Sequence, residues 1–343
     1  MSQASSQPAQ GPAAVDLIMQ MATGYSAAAC LNIATQLKIA DMVATGPKPV
    51  EELARAAQVN EDALYLVLRA LASVGIFTEA TPHAFANTPA SELLREGTPN
   101  SLRPMVLWIS DAFHLRVFAE LMHSVRTGGT AIKKVTGREA FEYFEQDKPL
   151  GAIFHAAMSG FSGMMIPAVL EAYDFAGLGT LADIAGGQGV VLTSILKKHA
   201  DLEGILFDQP EVVADARQRI DSLSLSSRCQ AVGGDFFAGV PAADNYVLKH
   251  IIHDWDDARA AQILKNCAAA MRGRGKVILI ESVIAPGDEP HFAKRVDIEM
   301  LAMAGGRERS EAGFAELFSQ AGLRLSRIVP TKSPVSVVEA VRA

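Results

Sequence analysis

Leu181-Ala182-Asp183-Ile184-Ala185-Gly186-Gly187-Gln188-Gly189 is the stretch whose reading decides the fold. A short apolar run ends on an acid and breaks into a glycine-rich turn, and Val190 to His199 then carries helical spacing. Strand, tight turn and helix in that order open a parallel sheet with crossover helices. Glycines in such a turn permit positive φ and bring backbone close to a ligand. Asp208 closes the next apolar run, Glu203 to Phe207. A carboxylate at that place can accept hydrogen bonds from both hydroxyls of a ribose.

Outward from that corner, further short strands alternate with amphipathic segments: Cys229 to Val232, Tyr246 to Ile251 and Lys276 to Val283. Leu323 to Val329 and Val335 to Val341 add a closing hairpin. Together they predict an α/β doubly wound domain. The first half reads differently. Ala13 to Met21 and Ala27 to Leu37 have helical spacing, Val50 to Ala54 follows Pro49, and Asn60 is placed to cap a helix over 61–71. Gly75 ends that helix, and Ile76 to Glu79 and His83 to Asn87 flank a proline-containing turn. Helix, turn, helix and hairpin make a winged-helix pattern. Residues 101–175 read as further helices. The expected organisation is a polar tail over 1–12, a helical winged-helix-like domain over 13–165 and a ligand-binding domain over 166–343.

A winged helix can read DNA or serve only as a packing module. Its cations here are Lys38, Lys48, Arg55, Arg69 and Arg95, outnumbered by nine acids within residues 1–100, and the would-be recognition helix offers only Arg69. Phosphate contacts dominate DNA affinity, so this composition favours packing or dimerisation. The whole chain has 343 residues and a formal net charge of -7, which points the same way. Cys30, Cys229 and Cys267 are too widely spaced for a metal or disulfide pattern, consistent with a reducing cytoplasm. The first dozen residues lack the basic start and apolar core of a signal peptide, and no unbroken apolar run reaches membrane-span length.

The glycine corner does not fit a dinucleotide. With Gly187 and Gly189 as the first two glycines of that fingerprint, Leu192 falls on the third. Asp183 would repel a pyrophosphate but suits a cationic sulfonium ligand. Gly234-Asp235-Phe236-Phe237 follows the third strand. Its acid and ring can receive the amino group and flank the plane of an adenine, or they form a solvated loop over a core Phe. His253 comes off the fourth strand at the ligand end of the sheet, where a neutral imidazole can take a proton from a hydroxyl. Glu281, ending the fifth strand, and Glu308, just after Gly305-Gly306-Arg307, can each orient it. His250 and His291 are read as capping or core residues.

These pieces resemble the caffeate and flavonoid type of O-methyltransferase, including bacterial members acting on polyketides and other aromatic products. The resemblance covers nearly the whole chain. Asp183 to Gly189 matches the motif Asp-x-Gly-Gly-Gly-x-Gly, with Ala185 replacing its first glycine. Asp208-Gln209-Pro210 resembles the ribose-binding Asp-Leu-Pro, and Gly234-Asp235-Phe236 the adenine segment. Lys249 falls on a cofactor contact, and His253-Asp254-Trp255 on the His-Asp-Trp motif that carries the base. Glu281 and Glu308 fall on the two acids flanking that base.

The resemblance therefore implies a Rossmann-like seven-stranded methyltransferase domain behind a winged-helix dimerisation domain, and S-adenosylmethionine as cofactor. Asp183, Ala185, Gly186, Gly187, Gly189, Asp208, Gln209, Asp235, Phe236, Lys249 and Trp255 would form its site, with no metal. Partners would be a second copy of the chain and a small aromatic acceptor, not nucleic acid or membrane. Met158-Ser159 resembles the substrate region, and Trp108, Met158, Phe161, Met300 and Met303 are candidate walls for a flat ring, or plain core. N- or C-methylation, a cofactor-retaining hydroxylase or decarboxylase, and a ligand-sensing regulator are the competing readings. A metal-dependent catechol-type enzyme would need Asp and Asn ligands where this chain has His-Asp-Trp.

Overall fold

The computed structural model describes residues 12–343, so the expected tail over 1–12 falls almost wholly outside the described residues. The chain divides into two compact units, the first ending at Leu115 and the second running from Arg116 to Ala343. The boundary expected at 165/166 instead lies inside one continuous helix, Lys148–Ala172. The helices after 115 carry no sheet signature, yet they pack within the second unit. Lys148–Ala172 lies on the helix Val190–Lys198, and the short helices Leu121–Thr127 and Ala131–Thr136 lie against the turn Met300–Ala304.

In the first unit a long helix, Pro12–Gln36, runs through Gly24 without the break the sequence suggests. One interior glycine costs about 1 kcal/mol, less than a helix of this length gains. Val50–Ala57 and Glu61–Ser73 follow, the second capped by Asn60, whose Oδ1 accepts from the Ala63 N–H at 2.9 Å. Strand β1 (Lys48–Pro49) was not foreseen; β2 (Phe77–Thr81) and β3 (Ala84–Asn87) form the hairpin, giving the order β1-β3-β2. Leu53, Leu64, Leu68, Leu71, Phe77 and Phe85 fill the core between helices and wing.

The second unit holds a seven-stranded sheet. Its strands are β4 (Thr180–Ile184), β5 (Glu203–Asp208), β6 (Cys229–Gly233), β7 (Asn245–Lys249), β8 (Lys276–Glu281), β9 (Leu323–Pro330) and β10 (Ser336–Arg342). Their order is β6-β5-β4-β7-β8-β10-β9. β10 runs antiparallel to both its neighbours, and the β6-to-β8 run is parallel. The chain order reverses at β4, between β5 and β7, and the crevice beyond the carboxyl ends of those strands is where such sheets bind ligands. Strands buried on both faces explain near-continuous runs such as Lys276-Val-Ile-Leu-Ile-Glu281.

Two helices, Ala13–Gln36 and Lys148–Ala172, are long and apolar enough on length and composition to cross a membrane. This differs from the sequence reading because their apolar content is spread among Ala, Met and Gly rather than held in one run. Lys148–Ala172 places Met165, Ile166 and Val169 in the core beneath β4. Pro12–Gln36 leaves Val15, Ile18, Met19, Met21 and Tyr25 exposed.

Candidate active site

The turn after β4 is shaped by backbone. Ala185 has φ +54° and Gly187 φ +57°, so two left-handed residues lie within three positions. Asp208, ending β5, reaches across with one oxygen accepting from the Gly187 N–H at 2.7 Å and the other from its neighbour Gln209 N–H at 2.7 Å. A side chain at Gly186 would collide with Leu206 and the Asp183 carboxyl, so the Asp183 acid lies directly beneath the turn. Burial raises Asp183 to about 7 and pushes Asp208 upward. From the flanking helix, Ser159 Oγ lies 3.2 Å from Gln188 Oε1. One Asp235 oxygen, Oδ1, accepts from the Phe237 N–H at 2.8 Å, and the loop is pinned by Asn266, whose amide donates to the carbonyls of Phe236 and Phe237. Trp255 meets Phe236, Phe237 and Phe141 edge-on or tilted, with the Arg259 guanidinium 4.5 Å from its ring centre. A cleft of about 260 Å³ opens beside Gln209 and Trp255, walled by Phe141, Glu145, Arg259 and Ala304.

The second corner is built from side chains. His253 sits in a 3₁₀ turn, Ile252–Asp254, directly after β7. Its Nδ1 lies 2.7 Å from Glu308 Oε1 and 3.6 Å from Glu281 Oε2, and its Nε2 lies 3.5 Å from Asp254 Oδ1. Only the first of these is a good hydrogen-bond distance. Glu281 is fully buried and its other oxygen accepts from the Ile251 and Ile252 N–H groups at 3.0 Å each. It therefore holds the turn that carries His253 as well as facing the ring. Glu308 is seated by its own N–H, which donates to Asp297 at 2.6 Å. Gly306 explains the glycine pair before Glu308: a Cβ there would stand 2.0 Å from the His253 carbonyl oxygen. Burial opposes charge on His253, but Glu281, Asp254 and Glu308 outweigh it and raise the imidazole to about 10. Burial pushes Glu281 upward, raises Asp254 to about 6, and lowers Lys249 to about 8.

Several contributors were not legible in advance. Arg309, which carries no signal in the sequence, is buried; it donates to the Ile252 and Trp255 carbonyls at 2.9 Å each and to Asp257. It ties both ends of the His-Asp-Trp turn to the helix Asp257–Ala270, which Asp256 caps. Asn266 and Asp297 act likewise over long sequence separations. His291, read as a capping or core residue, is a cap, accepting from the Ala293 N–H at 3.2 Å. His250 is more than a core residue: its ring stacks with those of Phe161 and His253.

The candidate substrate walls divide. Met300 and Met303 lie in a π-helical turn, Met300–Ala304, that packs against the His253 turn. Phe161 reaches the same corner through His250, and Met158 is one turn earlier on the same helix, its carbonyl accepting from Ser162. Trp108 belongs to the first unit, buried and edge-on to His114.

Comparison with known proteins fits this geometry. The O-methyltransferase domain family matches residues 118–324, and the O-methyltransferase dimerisation domain family matches residues 19–97. A phenazine O-methyltransferase, PhzM, of Lysobacter antibioticus is 42% identical over 325 residues, covering 94% of this chain and 95% of that protein. A crystal structure of LaPhzM superposes with a TM-score of 0.92 at 41% identity, covering 96% of this chain and 99% of that one. The neocarzinostatin-pathway O-methyltransferase NcsB1, in complex with S-adenosylmethionine and 2-hydroxy-5-methyl naphthoic acid, has a TM-score of 0.81 at 34% identity, covering 98% and 100%. A phenazine-1-carboxylate N-methyltransferase of Pseudomonas aeruginosa is 29% identical, covering 96% and 98%. The fold and site define a class I methyltransferase. The chain belongs to the S-adenosylmethionine-dependent O-methyltransferase family.

The residues present fit that cofactor. Asp183 Oδ2 and Trp255 Nε1 are buried polar atoms without a hydrogen-bond partner among the described residues, at the turn and at the aromatic wall respectively. The donor set, with Asp183 in β4, Asp208 closing β5, Asp235 after β6 and a half-buried lysine, Lys249, closing β7, suits a cationic adenosyl ligand that carries a carboxylate.

Proposed function

We propose that this protein methylates a hydroxyl of a flat aromatic small molecule of the phenol, naphthoate or phenazine kind, with His253 as the proton acceptor. The observation that carries the reading is the 2.7 Å contact between His253 Nδ1 and Glu308 Oε1. It commits Nδ1–H to the carboxylate and leaves Nε2 as the nitrogen for the acceptor. When bound, S-adenosylmethionine supplies a methyl group on a sulfonium sulfur. Asp208 would take the ribose hydroxyls, Asp235 and Phe236 the adenine, and Lys249 the carboxylate end, with Gly186, Gly187 and Gly189 giving backbone access and Gln209 and Trp255 flanking.

His253 accepts the hydroxyl proton at Nε2, and its positive charge is then held by Glu308, Glu281 and Asp254. An imidazole raised to about 10 is charged at neutral pH. The reacting pair is therefore imidazolium with ionised acceptor, holding one proton between them; it forms when the hydroxyl proton leaves to solvent or when the small neutral fraction of His253 takes it. Met300, Met303, Phe161 and Met158 supply apolar surface for the ring. The exposed apolar side of Pro12–Gln36 supports pairing of two copies through the first unit.

N-methylation is the second reading, favoured by the Pseudomonas aeruginosa relative. A screen of phenols, hydroxynaphthoates and hydroxyphenazines with methyl-labelled cofactor separates the two. The expected product is a methyl ether; label appearing only on ring nitrogen would replace this reading with the second.

A further inference from the structure

The end of β7 carries an arrangement that the acid–base pair does not explain. His250 follows Lys249 with φ +52°, a left-handed conformation that costs a non-glycine residue about 1–2 kcal/mol. Its N–H donates to the Ile280 carbonyl at 3.1 Å, so the residue is fixed to β8 at the point where the chain leaves the sheet. The left-handed turn brings its ring parallel to the ring three residues on. The His250 and His253 centroids are 4.9 Å apart with 11° between planes. Phe161, from Lys148–Ala172, stacks on the same His250 ring at 5.6 Å and 19°. Phe161 is backed in turn by Phe292 at 5.8 Å. Lys249 Nζ lies 3.4 Å from His250 Nδ1.

We propose that His250 is a positioning residue for the base: it is the shared ring of a Phe161–His250–His253 stack that fixes the plane of the His253 imidazole and supports its protonated form. Glu308 holds one atom of the His253 ring at hydrogen-bond distance, while Glu281 and Asp254 stand farther off at 3.6 and 3.5 Å, so a single short contact does not by itself set the plane of the ring. A parallel ring on its face sets that plane, so Nε2 keeps one direction. The electrostatics agree. His253 is faced by Glu281 from β8, Glu308 from the segment before Glu311–Gln320, Asp254 from its own turn and Asp297 from Phe292–Glu299, with Lys249 and His250 at the end of β7. Burial, Lys249 and His253 hold His250 well below the usual imidazole range, so it is neutral and adds no like charge. A neutral π face against an imidazolium is attractive. This inference rests on the reading of His253 as base.

The test is histidine-selective nitrogen NMR on the full-length protein, following the His253 imidazole through its titration and its tautomer. His250→Asn removes the ring while keeping a residue that tolerates positive φ. It should lower the His253 midpoint by roughly half to one unit and mix the two tautomers. His250→Phe keeps a ring face, and should leave both near wild type. An unchanged midpoint and tautomer in His250→Asn overturns the proposal. So does a His250→Phe protein shifted as far as His250→Asn, because the nitrogen and not the stack would then matter. If His250→Asn does not fold, Phe161→Leu replaces it, with a smaller downward shift expected and no shift contradicting. Failure of the His253 reading is seen separately, as methyl transfer to an aromatic hydroxyl that survives His253→Ala.

Discussion

The proposed cofactor corner and the proposed base corner occupy neighbouring strand ends of one sheet and are made from different materials. At the cofactor corner backbone does the shaping: Ala185 and Gly187 take left-handed φ, and Asp208 is bonded to two backbone N–H groups. At the proposed base corner side-chain charge does the work, with one imidazole among three carboxylates, two of them glutamates that are themselves seated by N–H groups or Asp297. A backbone-built site is sensitive to its turn geometry and to the carboxylate that pins the turn. A charge-built site is sensitive to its side-chain charges. The difference predicts that mutations in the two corners separate binding from turnover.

The largest effect expected is on turnover. His253→Ala should reduce methylation of an aromatic hydroxyl by about two to four orders of magnitude, the scale of a general base. Calorimetry with S-adenosylhomocysteine should find its cofactor affinity unchanged. Weakened cofactor binding in the same variant would break the comparison. Asp208→Ala should do the reverse. Losing hydrogen bonds to a charged group costs about 1.5–3 kcal/mol, so cofactor affinity should fall roughly 10- to 100-fold, with turnover at saturating cofactor largely kept. The smallest effect tests the turn itself. Ala185→Gly removes the left-handed penalty of about 1–2 kcal/mol but returns some unfolded-state entropy. A thermal melt should show a rise of a few degrees at most, and a lower melting temperature would mean that the turn bears no strain at Ala185.

The same division governs what could be read from the sequence. The seven strands and the Asp183–Gly189 turn are local patterns, and they appear within a residue or two of where their periodicity places them. Glu281 is legible as a candidate from its place at the end of the strand beside His253, and Glu308 from its place after a glycine pair, but nothing local says that residues 28 and 55 positions from His253 meet it. Arg309, Asn266 and Asp297 carry no pattern, since each acts through long-range hydrogen bonds to backbone. The stacking of His250 has no sequence signal, because it depends on a left-handed turn and on a phenylalanine from a distant helix. The domain boundary was missed for a related reason: the helices from 116 onward read as more of the first half, and only packing assigns them to the sheet.

The central claim is that one proton, shared between the acceptor hydroxyl and His253, governs catalysis. Its most direct test is kcat/KM against pH for methylation of a monohydroxyphenazine, in the wild type and in His253→Ala. The wild-type value should rise as pH passes the acceptor's own pKa, while His253 stays charged. It should fall again above about 10, where the imidazolium is lost. The alkaline fall should be missing in His253→Ala. An alkaline fall that persists in that variant, or a wild-type profile that never turns down, would contradict the account.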